Sequence, residues 1–177
     1  MTARLARRSP LESVRLPDGV REIPFLTQLD VRAEPPPIGA RWPSAPNTVM
    51  VDDDVAVLWL APDEWLIVGP PDATDAVESW TRNRLGDALR ALVDVSANRT
   101  TLELRGPRAR DLLESGCSID LDRRAFGPGR CAQTLLARAQ VVLWQLDEAP
   151  TYRLLVRPSL AAYVGAWLLD AAEGQDA

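Results

Sequence analysis

The sequence predicts an α+β domain in which antiparallel strand pairs alternate with helices, behind an extended, proline-rich N-terminal arm. Three observations carry that reading. Short apolar runs arrive as adjacent pairs separated by turn residues, each group is followed by a stretch with helical spacing, and eight of the 15 prolines fall before residue 49. The strict strand–helix alternation of a parallel nucleotide-binding sheet is absent.

Residues 1–48 are expected to form the arm. Pro10, Pro17, Pro24, Pro35, Pro36, Pro37, Pro43 and Pro46 each fix φ, lack a donor and push the preceding residue away from helix, so an extended path is expected. Ile23, Phe25, Leu26, Leu29, Val31, Ile38 and Trp42 recur along it, more apolar side chains than a disordered linker carries. The arm therefore lies across its own domain or on another subunit, and both readings stay open. Ordering it takes about 1–2 kcal/mol per residue, which a docking surface must supply.

Residues 49–172 read as the folded domain. Val55 to Leu60 and Trp65 to Val68 are two strands joined by the turn Ala61-Pro62-Asp63-Glu64. Asp72 to Leu85 has helical spacing at Ala76, Val77, Trp80 and Leu85, ending at Gly86 or continuing towards Leu92. Leu92 to Val95 and Thr100 to Leu104 are the next pair. Gly106-Pro107 opens a helix with Leu112 and Leu113 on its apolar face and Gly116 as its C-terminal cap. Gln133 to Leu136, Val141 to Leu146 and Tyr152 to Val156 form a third group. Ser159 is the expected N-cap of a last helix, and residues 173–177 a frayed tail. Val55 to Leu60 and Val141 to Leu146 are apolar on both faces, so the second face needs cover from the domain's own helices and arm or from a partner subunit.

Composition narrows the chemistry. Histidine is absent, removing the commonest general base and metal ligand, and all 20 basic residues are arginines, leaving no Schiff-base or phosphate-loop lysine. Net charge is −5, divided as +2 over residues 1–48 and −7 over 49–177. An acidic body argues against nucleic acid. The longest apolar runs are far too short to span a membrane, and no apolar stretch follows Arg4, Arg7 and Arg8 as a secretory signal would require, so a cytoplasmic location is expected.

Several local motifs read as structure. Asp52-Asp53-Asp54 lacks the spaced ligands of a calcium loop and is a solvated turn, and Gly127-Pro128-Gly129 is a turn too short to cradle phosphate. Cys117 and Cys131 cannot close a zinc site without histidine, and in a reducing compartment are expected as buried free thiols. Six tryptophans are individually core candidates, but together they raise the prospect of a protein interface. Trp42, Trp59 and Trp65 are the candidate contacts.

Val93-Asp94-Val95-Ser96, Thr101 to Pro107, and Leu112-Leu113 resemble the first half of the folate-dependent aminomethyltransferase fold. The stretches Trp59 to Trp65, Gly116 to Leu121, Phe126 to Thr134 and Tyr152 to Ser159 are more specific and resemble the gamma subunit family of heterotetrameric sarcosine oxidase, from about Phe25 to Asp170. The resemblance implies a cytoplasmic complex that demethylates sarcosine oxidatively to glycine, releases hydrogen peroxide and passes the one-carbon unit to tetrahydrofolate. It places FAD, FMN and NAD in larger flavin-bearing partner subunits and zinc in the smallest, with no cofactor in this chain. The transferases' acidic pair has no counterpart in Ala137 to Trp144, so no folate-binding or catalytic residue is carried over. Asp94 and Glu103 are possible pterin partners in principle, but read as a strand-end hydrogen bond and a solvent-facing strand residue. The expected function is a non-catalytic structural subunit. The alternatives are an autonomous folate-binding protein or aminomethyltransferase-like enzyme, and a scaffold for an N-methyl amine dehydrogenase.

Overall fold

Every residue from Val55 to Leu60 is apolar, so both faces of that strand must be covered. The computed structural model, which describes residues 7–34 and 42–175, covers them by stacking two five-stranded sheets. The strands are β1 (Val20–Ile23), β2 (Leu26–Ala33), β3 (Val49–Asp52), β4 (Val55–Ala61), β5 (Glu64–Pro71), β6 (Leu89–Asp94), β7 (Thr100–Arg105), β8 (Cys131–Leu136), β9 (Ala139–Asp147) and β10 (Thr151–Val156). The helices are α1 (Thr74–Leu85), α2 (Ala109–Glu114) and α3 (Pro158–Gln175). The first sheet has the order β1-β7-β10-β9-β8 and the second β3-β4-β5-β2-β6, with every pairing antiparallel.

Residue parity sorts the side chains into layers. Along β4, Val55, Val57 and Trp59 face Val77 and Leu85 of α1. Ala56, Leu58 and Leu60 instead meet Val142, Trp144 and Leu155 of the first sheet. Val141 and Leu143 of β9 point the other way, onto Leu112 and Leu113 of α2 and Val164 and Leu168 of α3. The order of layers is α2 and α3, first sheet, second sheet, α1. Each two-faced strand thus finds its second cover in the opposing sheet of the same chain. Close approach is needed at Gly69 of β5, where an added Cβ would lie 2.5 Å from Cγ2 of Val77.

The N-terminal segment, expected as an extended arm lying on its own domain or on another subunit, contributes strands to both sheets. The proline-free stretch between Pro24 and Pro35 carries β2, hydrogen-bonded to β5 on one side and β6 on the other, with Leu29 and Val31 fully buried. Residues without prolines keep the donors that a ladder needs, so the prolines delimit the strand rather than exclude it. β1 adds an edge to the first sheet, and Leu11, Val14 and Leu16 pack on the core beneath α3. No boundary at residue 48 separates these elements from the rest. Pro35, Pro36, Pro37 and Ile38 lie outside the described residues.

Other elements differ in detail. β6 and β7 are neighbours in sequence but belong to different sheets, because β2 occupies the position beside β6 and β1 and β10 flank β7. α1 stops at Gly86, whose φ of +48° suits glycine, and a single 3₁₀ turn leads into β6 at Leu89 instead of Leu92. α3 begins at Pro158, so Ser159 sits inside its first turn and does not cap it. Residues 173–175, expected to fray, continue α3. Gly116, expected as the C-terminal cap of α2, lies one residue past the cap Ser115 and gives room to the indole ring of Trp167.

Candidate functional site

Two of the three tryptophans expected at an interface lie in the core of their own chain. Trp65 on β5 is 1% exposed, and its Nε1 donates to the carbonyl of Pro43 at 2.8 Å. Trp42 is 7% exposed, edge-on to Trp65 at 5.9 Å between ring centroids and stacked on Trp80 of α1 at 6.1 Å. The chain around Trp42 and Pro43 folds over the outer face of the second sheet and completes the core that α1 begins. Trp59 differs from them. It sits opposite Trp65 on β4, is only partly buried and packs at the margin of that core. Of the three, it alone keeps a surface that another chain can touch.

The carboxylates separate equally clearly. Asp94, at the end of β6, accepts hydrogen bonds from the Ser96 hydroxyl at 2.5 Å and the Ser96 amide at 2.9 Å, the strand-end role expected of it. Those bonds hold its carboxyl below the usual range. Glu103 is not the solvent-facing residue its alternation suggests. Its side chain is wholly buried on the inner face of β7 and receives guanidinium groups from Arg21 at 2.8 Å, Arg105 at 2.6 Å and Arg153 at 3.3 Å. Cross-strand register brings them together, since Arg21 on β1 and Arg153 on β10 both lie directly opposite Glu103. Burial pushes its carboxyl up, but the hydrogen bonds and charges of Arg21 and Arg105 outweigh burial and hold it below the ordinary value. A carboxylate saturated in this way is a poor proton acceptor.

Two of these arginines, Arg21 and Arg153, line a cleft of about 590 Å³ between the sheets. Arg153 lies over the ring of Trp144 at 5.3 Å, and Val51, 58% exposed on the edge strand β3, stands at its rim. Asp53, with φ of +52°, makes the β3–β4 turn, while Asp52 is paired with Arg84 of α1. Gly129, with φ of +75°, closes the Gly127-Pro128-Gly129 turn, its amide bonded to the carbonyl of Gln145.

The two cysteines differ in exposure. Cys131 is fully buried, its Sγ directed at the carbonyls of Thr48 and Trp59, and burial pushes its thiol up to about 12. Cys117 is partly buried and, like Cys131, a free thiol. Among the described residues no three His, Cys, Asp or Glu side chains converge as metal ligands. Among the described residues no helix is long and apolar enough to cross a membrane. Glu103 is thus a neutralised charge and Cys131 a shielded thiol.

One feature of the structure has no forerunner in the sequence motifs. Arg99 and Arg157 are 58 residues apart in the chain, yet the β7–β10 ladder brings them to the lip of a single cleft. The only sequence signal was an arginine at each strand end, which means little until the register is known.

Residues 36–174 match the model of the sarcosine oxidase, gamma subunit family. Relatives named sarcosine oxidase subunit gamma include one from Corynebacterium sp. (strain P-1), 39% identical over 162 residues, covering 86% of this chain and 78% of the relative. Another, from Arthrobacter sp., is 38% identical with the same coverage. Among solved structures, a chain of the heterotetrameric sarcosine oxidase from Corynebacterium sp. U-96, in complex with pyrrole 2-carboxylate, superposes with a TM-score of 0.80 at 33% identity, covering 97% of each chain. The glycine cleavage system aminomethyltransferase T from Bartonella henselae shares the fold with a TM-score of 0.61 at 12% identity, over 85% of this chain and 45% of that one.

Proposed function

The chain belongs to the sarcosine oxidase gamma subunit family, and from that premise we propose that it is a non-catalytic structural subunit of a heterotetrameric sarcosine oxidase. The observation that carries this reading is the likeness, over 97% of both chains, to a chain of such a heterotetramer. The saturated carboxylate of Glu103 and the buried thiol of Cys131 support it, since neither is free to act on a substrate. The assembled complex converts sarcosine oxidatively to glycine. FAD, FMN, NAD and zinc belong to its other subunits, the flavins to larger chains, and the complex is cytoplasmic. The chain contributes surfaces: Trp59 at the margin of the second sheet, and the edge strands β3 and β6 with Val51 and Val93 more than half exposed.

The test is co-expression with the neighbouring subunits. The chain is expected to co-purify with them, and Trp59→Ala to lower recovery of the complex while leaving the chain's circular dichroism unchanged. A chain that stays monomeric beside all of those subunits would remove the proposal. Micromolar binding of tetrahydrofolate to the purified chain would favour an autonomous folate-binding role instead.

A further inference from the structure

We infer that Arg99 and Arg157, together with the polar wall beside them, form a binding site for an oxyanion, a carboxylate or phosphate group. The argument starts from register. Val156 of β10 lies opposite Thr100 of β7, so one step further along the antiparallel ladder places Arg157 across from Arg99. Val156 also lies opposite Val141 of β9, which brings Gln140 to the other side of Arg157. Like charges placed directly across a ladder destabilise a sheet.

No ion pair offsets that repulsion among the described residues, and Asp30 and Glu64 counter it only through their fields. Among the described residues neither arginine has a carboxylate within 4.0 Å, whereas Arg7, Arg32, Arg82, Arg84, Arg90 and Arg123 each have one. Burial first, and then the charge of Arg157, make Arg99 less basic than usual. Asp30 and Glu64 oppose this through their fields, without making an ion pair to it. The N-terminus of the 18-residue α3 follows directly at Pro158 and adds the positive end of its dipole.

The two guanidinium groups open into a cleft of about 490 Å³ whose other polar walls are Ser118, Thr134, Gln133 and Gln140, with no carboxylate in its lining. Hydroxyl and amide groups can donate to an anion's remaining oxygens, and guanidinium groups bind a planar carboxylate or a phosphate bidentately. On the far side of Arg99 a second cleft is lined by Arg7 and Arg8, extending the positive region. This stands in a body whose residues 49–177 carry −7, so the local excess of positive charge is not a property of the surface at large. A bound oxyanion would neutralise the pair and satisfy both guanidinium groups at once.

The experiment uses the purified full chain and three variants, Arg99→Gln, Arg157→Gln and the double variant. Thermal unfolding is followed while inorganic phosphate or succinate is titrated at constant ionic strength, with sodium chloride as the reference salt. The expected result is a saturable rise in Tm of about 3 °C or more for the natural sequence, reduced in each single variant and absent in the double one. Without ligand, the double variant should be at least as stable as the natural sequence, because a repulsion has been removed. A response no larger than that to chloride, a response that survives in the double variant, or a loss of ligand-free stability in that variant would overturn the assignment. This arm does not depend on whether the chain assembles with others.

Repeating the titration on the assembled complex separates the sources of the anion. A response retained there identifies a free small molecule. A response lost on assembly, with weaker assembly of the double variant, identifies a carboxylate or phosphate group of a neighbouring subunit. Loss of the response without any effect of the double variant on assembly would count against the inference.

Discussion

Glu103 offers the sharpest test of how this fold is held together. Its side chain is wholly buried, and the Glu103→Gln substitution keeps its size while removing the charge that three guanidinium groups share. Breaking a fully buried ion pair costs about 3–5 kcal/mol. Here the side chains of Arg21 and Arg105 are 61% and 57% exposed and can return to water, whereas that of Arg153 is 25% exposed and cannot do so fully. The expected loss is therefore below that range, about 2–3 kcal/mol at neutral pH, or roughly 5–10 °C in Tm for a chain of this length. The pH dependence adds a second readout. The folded carboxyl ionises more readily than it does unfolded, so its contribution is fully present above the unfolded value near 4.3 and disappears as pH falls through the lower folded value. Urea unfolding of both proteins at pH 7 and at about pH 4 should show the gap narrowing on acidification. A gap smaller than about 0.5 kcal/mol at pH 7, or one that widens in acid, would refute the account of Glu103 as a neutralised anchor between β1, β7 and β10.

Two further outcomes follow from packing and thiol chemistry. Gly69→Ala should destabilise the chain by about 1–3 kcal/mol because its Cβ would meet Val77, and Val77→Ala in the same chain should recover part of that loss in a double-mutant cycle; purely additive effects would argue against the contact. Cys131 should resist alkylation in the native protein at pH 8–9 and react once urea unfolds it, as read by mass spectrometry. Because its folded thiol is raised to about 12, the unfolded state alone loses the proton between about pH 8.5 and 12, so stability should fall with rising pH across that window.

The pattern of apolar residues was enough to read most elements and the class of fold. Val55 to Leu60, Trp65 to Val68 and Tyr152 to Val156 are strands because short apolar runs rich in β-branched or aromatic residues and bounded by turn residues are local properties. The absence of histidine and lysine likewise excluded whole chemistries from composition alone. The two-faced strands announced that something must cover them, but not what, because hydrophobicity has no address.

Only the folded chain decided which side chains meet. Leu29 and Val31 indicated only that the arm packs on some surface until β2 inserted between β5 and β6. Trp42 and Trp65 looked available for docking until they packed on each other and on Trp80. Glu103 alternated like a surface residue, yet its face is the one enclosed between the sheets. Arg99 and Arg157 became neighbours through a ladder between strands some fifty residues apart in sequence. Periodicity records how each segment divides itself between two faces. The identity of what lies against each face depends on pairings between distant segments, whose register is set by the packing of the whole core.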